Sequence, residues 1–140
     1  MADIRVPVKS LRMSGTGKFR QEQADVFKIK ICGITSAEDA RLAATAGADA
    51  IGLNFYPPSP RSLTIDEAQE ICGQVPGSLK RVGVFVNHQE SEIRQHVEIL
   101  TLDAVQLHGD EPADLVRALH PIPVIRAFRC DHRGLSQVRE

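Results

Sequence analysis

The chain has 140 residues, of which 42% are hydrophobic and 25% are charged, and its formal net charge is −1. A chain of this length and composition can bury the core of one domain, which argues against global disorder. Acidic and basic residues are interspersed, so the charge pattern gives no reason to expect a nucleic acid or an anionic membrane as partner. No apolar stretch approaches the roughly 18–20 residues that a membrane span needs.

The cysteines Cys32, Cys72 and Cys130 are few, odd in number and widely spaced. They do not form a disulfide framework, and such sparse use fits a reducing compartment, so we expect a cytoplasmic protein. No pair has C-x-x-C spacing and the histidines do not cluster, so we expect no metal site. Residues 1–27 contain no apolar segment of the kind found in secretory signals.

Residues 1–27 are polar and mixed, with Ser14-Gly15-Thr16-Gly17 in the middle. We interpret them as a flexible N-terminal extension, in which Met13 offers an alternative start. The pattern changes at residue 28, so we assign residues 28–140 to a separate folded unit.

From residue 28 onward, short β-branched runs alternate with helical segments. The runs are continuously apolar rather than alternating, which is typical of parallel strands that are covered on both faces. The predicted strands are Lys28–Cys32, Ala50–Asn54, Arg81–Val86, Ala104–Leu107 and Val124–Phe128.

The segments between these strands carry helix signals. Thr35-x-x-Glu38 and Thr64-x-x-Glu67 have the form of capping boxes, and Asp110-Glu111-Pro112 is typical of a helix start. Gly47 marks the end of the first helix. Apolar residues recur at helical spacing in the second and third helices, at Ile65, Ala68, Ile71, Cys72 and Val75 and at Ile93, Val97 and Leu100.

The order β-α-β-α-β-α-β-α-β predicts a parallel sheet with right-handed crossovers. Asp49-Ala50-Ile51-Gly52-Leu53 resembles Asp103-Ala104-Val105-Gln106-Leu107, as in a barrel built from repeated units. A complete (β/α)8 barrel needs eight strands and about 250 residues. The predicted fold is therefore an incomplete barrel of about five parallel strands and four helices.

In parallel α/β folds, reactive groups lie at the carboxyl ends of the strands. Cys32 ends the first predicted strand, Arg61 lies in the loop after the second, and Gln106 and His108 end the fourth. Asn87 follows the third strand, and Arg126 and Arg129 lie near the end of the fifth. A thiol, an imidazole and several cations at one edge suit an anionic substrate and proton transfer.

Each candidate also has a structural interpretation. A cysteine at a strand end is more often a small buried hydrophobe, His108 could cap its loop, and Arg61 could be solvated. We expect Cys72 to lie in the core, and Asp49 and Asp103 to be structural because they precede strands. The remaining histidines are predicted to lie on the surface, at His88, His96, His120 and His132.

Five stretches together resemble one enzyme family, phosphoribosylanthranilate isomerase of tryptophan biosynthesis, over about residues 28–129. They have the family's order and spacing. The stretches are Lys30-Ile31-Cys32-Gly33-Ile34-Thr35, Gly47-Ala48-Asp49-Ala50-Ile51-Gly52, Phe55-Tyr56-Pro57-Pro58-Ser59-Pro60-Arg61, Val82-Gly83-Val84-Phe85-Val86-Asn87 and Val105-Gln106-Leu107-His108-Gly109.

The resemblance implies a TIM barrel that isomerises an aldose to a ketose, an intramolecular oxidoreductase-type reaction, without a cofactor. The family performs the Amadori rearrangement of N-(5-phosphoribosyl)anthranilate to 1-(2-carboxyphenylamino)-1-deoxyribulose 5-phosphate. It implies that Cys32 is the general base, that Arg61 holds the anthranilate carboxylate, and that Gln106 and His108 line the pocket.

The family's general-acid Asp, at the end of its sixth strand, and its phosphate-binding loops after strands seven and eight have no counterpart in the sequence. Asp131 follows the fifth strand and does not occupy that position. We therefore expect an N-terminal portion of the family fold with little activity alone, and strand edges that favour self-association. The alternatives are a non-catalytic half-barrel that serves binding or assembly, and a barrel acting on another sugar phosphate, which Pro57–Arg61 and Gln106–His108 disfavour.

Overall fold

The computed structural model describes residues 9–13, 19–23 and 27–128. In the N-terminal part, β1 (Lys9–Met13) and β2 (Phe19–Gln23) pair antiparallel. Ser14–Gly17 lie outside the described residues, and the flexibility of residues 1–27 stays a prediction. The described residues also exclude Arg129, Cys130, Asp131 and His132.

Five parallel strands form the main sheet, in the order β3-β4-β5-β6-β7, so each strand pairs with the next one along the chain. This confirms the predicted incomplete barrel. The second and fourth predicted strands have the expected bounds, whereas the first begins two residues later and the last ends two residues earlier. The strands are β3 (Lys30–Cys32), β4 (Ala50–Asn54), β5 (Lys80–Phe85), β6 (Ala104–Leu107) and β7 (Val124–Arg126).

Four helices connect these strands: α1 (Ala37–Thr45), α2 (Ile65–Gly73), α3 (Glu90–Leu100) and α4 (Ala113–Ala118). Within the described parts of the chain, none of the helices has the length and apolar character that crossing a bilayer demands.

Two of the predicted helix signals are confirmed, whereas those for the starts of the first and fourth helices are wrong. The capping box of Thr64 and Glu67 is present, and Gly47, with φ of 90°, follows the end of α1. The first helix is capped by Ser36 rather than Thr35. Ser36 accepts the N–H of Asp39 at 3.1 Å, and its hydroxyl donates to the Asp39 carboxylate at 2.8 Å. The helix cap therefore lies one residue later than predicted, and the Ser36 oxygen satisfies one of the free N–H groups of the first turn.

All four helices pack on one face of the sheet. Their apolar stripes meet strand residues such as Leu53 and Val105 in one core, which includes Cys72, as predicted. The opposite face, called the inner face below, carries a second cluster of Ala50, Val82 and Ala104. Helices on a single face with sequential strand order are typical of a barrel rather than of a doubly wound sheet.

Two histidines predicted to be exposed instead pack against aromatic rings. The His96 ring centroid lies 4.6 Å from that of Phe55 and 5.4 Å from that of Phe85, and the His88 centroid lies 5.3 Å from that of Phe85. Both imidazoles are half-buried, because the rings beside them offer favourable edge-to-face contacts. His120 is exposed as predicted.

Two aspartates at the amino ends of strands join neighbouring strands. Asp49 Oδ2 accepts the N–H groups of Lys28 and Ile29, each at 2.8 Å. Asp103 Oδ2 accepts the N–H of Arg81 at 2.8 Å, and Asp103 Oδ1 pairs with Lys80 Nζ at 2.9 Å. Both aspartates are therefore structural, as predicted, and the repeated sequence has a repeated role.

Candidate active site

Cys32 ends β3 with its side chain on the inner face, where it is exposed. The expectation that a strand-end cysteine is a buried hydrophobe is therefore wrong here. A Cβ on Gly52 would lie 2.8 Å from Cys32 Sγ and 3.1 Å from Lys30 Nζ. The missing side chain at Gly52 leaves room for the thiol and the ammonium group of the neighbouring strand.

The loop after β4 is folded by the side chain of Asn54. Asn54 Oδ1 accepts the N–H of Tyr56 at 2.9 Å, and Asn54 Nδ2 donates to Ser59 Oγ at 3.1 Å. Ser59 Oγ in turn accepts the N–H of Arg61 at 3.2 Å. These short-range bonds turn the proline-rich loop back toward β3.

As a result, the Arg61 side chain crosses the backbone directly after Cys32. A Cβ on Gly33 would lie 2.7 Å from Arg61 Cδ and 2.8 Å from Arg61 Nε, and Gly33 has φ of 79°. Arg61 is exposed, and the described residues place no carboxylate in ion-pair contact with it. The structure therefore brings a thiol and an available guanidinium together.

Gln106 and His108 lie on the same edge of the sheet, separated from Cys32 by β4 and β5. Gln106 is 8% exposed and pairs in register with Val84 and Ile125 on neighbouring strands. His108 is half-buried, and its N–H donates to the carbonyl of Phe85 at 2.9 Å. Both residues therefore lie at the carboxyl end of β6, two strands away from β4 and its loop.

Glu111 departs from the sequence prediction. It was expected to open the fourth helix, but α4 begins at Ala113, and Pro112 caps it without a side-chain hydrogen bond. The Glu111 carboxylate instead turns back and accepts the N–H of Asn87 at 2.9 Å and the N–H of Gly109 at 3.0 Å. The side chain is almost fully buried, with 1% of its surface exposed.

Arg126, expected to contribute a cation to an anion site, forms an ion pair with Glu111 and lies 5.5 Å above the ring centroid of Phe128. Burial raises the pKa of the Glu111 carboxyl, but hydrogen bonds from Asn87, its own backbone N–H and Arg126 outweigh burial and hold that pKa below its ordinary value. The carboxylate therefore remains ionised beside the candidate site.

Asn87 also bonds to the loop after β6. It adopts φ of 54°, a conformation that asparagine tolerates better than most residues. Asn87 Oδ1 accepts the N–H of Asp110 at 2.9 Å, and a Cβ on Gly109 would lie 2.5 Å from that oxygen. The close approach requires glycine after His108. In the described parts of the chain, no group of three or more His, Cys, Asp or Glu residues is placed to hold a metal ion.

Comparison with known proteins identifies the family. The family model for N-(5'-phosphoribosyl)anthranilate isomerase matches residues 29–138. The isomerase of Rubrobacter xylanophilus is 46% identical over 114 residues, which cover 79% of this chain and 55% of the relative. That of Azotobacter vinelandii is 50% identical over 101 residues, which cover 71% of this chain and 48% of the relative. The chain thus spans about half the length of these relatives.

Solved structures agree with the sequence match. The phosphoribosylanthranilate isomerase of Thermotoga maritima superposes with a TM-score of 0.69 at 43% identity, over 72% of this chain and 50% of that one. A structure of the isomerase in complex with reduced 1-(o-carboxyphenylamino)-1-deoxyribulose 5-phosphate gives 0.75 at 40% identity, over 81% and 59%. The chain therefore belongs to the phosphoribosylanthranilate isomerase family.

Proposed function

We propose that this chain supplies the proton-abstracting part of a phosphoribosylanthranilate isomerase site, acting in tryptophan biosynthesis in the cytoplasm. The observation that carries the proposal is the placement of Arg61 against Gly33, directly beside the exposed Cys32. A purely structural half-barrel would not need a base and a cation at this position.

In the proposed reaction, the Cys32 thiolate removes a proton from the carbon next to the iminium group of the opened substrate. The electron pair of the broken C–H bond forms a carbon–carbon double bond and neutralises the iminium nitrogen, so no cofactor is needed. The planar guanidinium of Arg61 suits a carboxylate, which it can bind through two parallel hydrogen bonds. Gln106 and His108 contact the sugar from the opposite side.

The substrate class is a phosphosugar joined to anthranilate. The product analogue in the related structure carries a carboxyphenyl group at one end and a phosphate at the other. We expect Arg61 to bind the carboxylate of the carboxyphenyl end. We expect the general acid and the phosphate-binding loops of this family to come from a part of the fold that the described residues do not include, because those residues form five of the strands.

The proposal predicts that residues 1–140 alone turn over N-(5-phosphoribosyl)anthranilate poorly, since loss of a general acid commonly costs about 10²–10⁴-fold. A chimera in which this chain replaces the matching half of the Rubrobacter xylanophilus enzyme should be active. Turnover can be followed through the fluorescence of the anthranilate group. In that chimera, Cys32→Ala should reduce kcat by about 10²–10⁴-fold.

The matched control is Cys72→Ala, which removes a thiol from the helix-side core and should leave kcat within about 3-fold, since it touches no proposed site residue. Full activity of the Cys32→Ala chimera would contradict the assignment of the base. Robust turnover by 1–140 alone would contradict the proposal that this chain supplies only part of the active site.

We also propose that copies of the chain associate through the outer edges of β3 and β7, which pair on one side only in the described sheet. Ile31, on β3, is 42% exposed and would be covered in such a contact. Sedimentation velocity of 1–140 should show a concentration-dependent mass that Ile31→Lys lowers. A constant monomer mass would contradict this proposal.

A further inference from the structure

We propose that Glu111 is a positioning residue of this site: it fixes the main chain at His108 and neutralises Arg126, so that Arg61, rather than Arg126, is available to an anionic substrate. This inference rests on the proposed function, because it explains how the edge opposite Cys32 is held. Glu111 itself bonds to backbone N–H groups of two loops and to Arg126.

The first step concerns His108. Its own N–H donates to the carbonyl of Phe85 at 2.9 Å. The next N–H, that of Gly109, donates to both oxygens of Glu111, at 3.1 and 3.0 Å. The backbone is therefore held on both sides of the imidazole, once by β5 and once by a carboxylate. A side chain can keep one orientation in a site only if the backbone that carries it is held in this way.

The second step concerns the neighbouring loop. The same carboxylate accepts the N–H of Asn87, and Asn87 in turn accepts the N–H of Asp110. Glu111 thus joins the loop after β5 to the loop after β6, and through Arg126 it also joins the end of β7. A single buried carboxylate sets the relative positions of three consecutive strand ends.

The third step concerns charge. Arg61 and Arg126 both lie near the carboxyl edge of the sheet, but Arg126 is held between the Glu111 carboxylate and the Phe128 ring. A paired and partly buried guanidinium attracts an anion much less than an exposed one. The substrate carboxylate is thereby directed to Arg61, beside Cys32, rather than to Arg126 at the end of β7.

A carboxylate with similar bonds but no link to the site provides the control. Asp103 also accepts a backbone N–H, that of Arg81, and also pairs with a cation, Lys80. It lies at the opposite edge of the sheet. If Glu111 were merely structural, then Glu111→Gln and Asp103→Asn would have the same kind of effect.

The experiment uses the full 140-residue chain with labelled histidine and backbone nitrogen, studied by NMR. In Glu111→Gln the Gly109 amide should move upfield as its charged acceptor is lost, and the His108 ring signal should shift or split. In Asp103→Asn both signals should stay in place. Unchanged His108 and Gly109 signals in Glu111→Gln, or equal changes in Asp103→Asn, would overturn the inference.

Binding gives the second readout, with reduced 1-(o-carboxyphenylamino)-1-deoxyribulose 5-phosphate as the probe. Glu111→Gln should weaken binding by about 10-fold, the effect of one hydrogen bond to a charged group. The positioning of His108, as distinct from the neutralisation of Arg126, predicts that the double variant His108→Ala/Glu111→Gln binds no more weakly than His108→Ala. If the loss of affinity in the double variant equalled the product of the two single losses, Glu111 would not act through His108.

If Glu111→Gln does not fold, Glu111→Asp keeps the charge on a shorter side chain and should give smaller shifts of the same two signals. No shift in Glu111→Asp would then overturn the inference. An inactive wild-type chimera with the Rubrobacter xylanophilus enzyme would count against the proposed function, whereas the His108 and Gly109 signals would still decide the role of Glu111.

Discussion

The Arg61 side chain lies so close to Gly33 that any side chain at position 33 would collide with it, at 2.7 Å from Cδ and 2.8 Å from Nε. Gly33 also has φ of 79°, in the region that favours glycine. These two facts make Gly33 the point at which the loop after β4 is fitted to the end of β3.

Gly33→Ala should therefore displace Arg61 as well as strain the backbone. We expect a loss of about 1–3 kcal/mol in the free energy of unfolding, and at least about 10-fold weaker binding of the carboxyphenyl probe, as expected when a charged hydrogen bond is lost. Gly47→Ala is the matched control, since Gly47 has φ of 90° but nothing within 4 Å of an added Cβ. Equal losses of binding in the two variants would contradict the contact with Arg61.

Glu111 should make the stability of the chain sensitive to acid. Burial opposes its ionisation, but the hydrogen bonds from Asn87 and Arg126 prevail, so its pKa in the folded state lies below the ordinary value of 4.5. Folding therefore favours the ionised form. The resulting stabilisation is fully present above pH 4.5 and is lost as the pH falls through the folded-state pKa.

Urea unfolding checks this expectation. Glu111→Gln should cost about 3–5 kcal/mol at neutral pH, because it leaves Arg126 without its buried partner. The difference in unfolding free energy between wild type and variant should narrow as the pH falls below 4.5 and through the lowered folded-state pKa of Glu111. Glu70→Gln, at an exposed position on α2, is the control. A difference in unfolding free energy between wild type and Glu111→Gln that stays constant with pH would contradict the role assigned to the Glu111 charge.

The two described cysteines should differ in their reaction with iodoacetamide. Cys32 is exposed, whereas Cys72 is buried and its thiol pKa is raised by burial, an effect that Arg81 partly offsets. In a Cys130→Ser background, peptide mapping should find Cys32 modified well before Cys72, by at least about 10-fold in rate, since the thiolate is the reactive form. Urea should remove the difference. Faster labelling of Cys72 in the folded chain would contradict the burial of α2 against the sheet.

Asp49→Asn should weaken the amino end of the sheet without reaching the site. Asp49 accepts two N–H groups, from Lys28 and Ile29, and an amide oxygen accepts them less strongly than a carboxylate. We expect a loss of about 1 kcal/mol in the free energy of unfolding and no change in probe binding. If Asp49→Asn bound the probe more weakly without losing stability, a change at the amino end of the sheet would affect the site at its carboxyl end, contrary to this prediction.

Much of the architecture could be predicted from local sequence, because strands, helix caps and apolar stripes are set by neighbours along the chain. β4 and β6 have the predicted bounds, and Thr64 with Glu67 forms the predicted capping box. The first cap was misplaced by one residue, because Thr35 and Ser36 are adjacent hydroxyl residues and only the folded backbone decides between them.

The site was predictable in its residues but not in its contacts. Cys32 and Arg61 could be proposed from the motifs, yet their proximity depends on the turn that Asn54 imposes on the loop. Asp-Glu-Pro resembles a helix start, so Glu111 was misinterpreted. Its partners are 24 residues earlier at Asn87 and 15 residues later at Arg126, beyond the reach of local pattern.

The sequential order of β3 to β7 also bears on how the chain is made. Each new strand pairs with the strand synthesised just before it, and the aspartate bonds at the amino edge join residues only 20 to 23 positions apart. Contacts of such short sequence separation cost little loop entropy and form quickly. The sheet can therefore form one βα unit at a time as the polypeptide leaves the ribosome. Cys32 is then in place early, whereas the bonds of Glu111 that join the ends of β5, β6 and β7 form last.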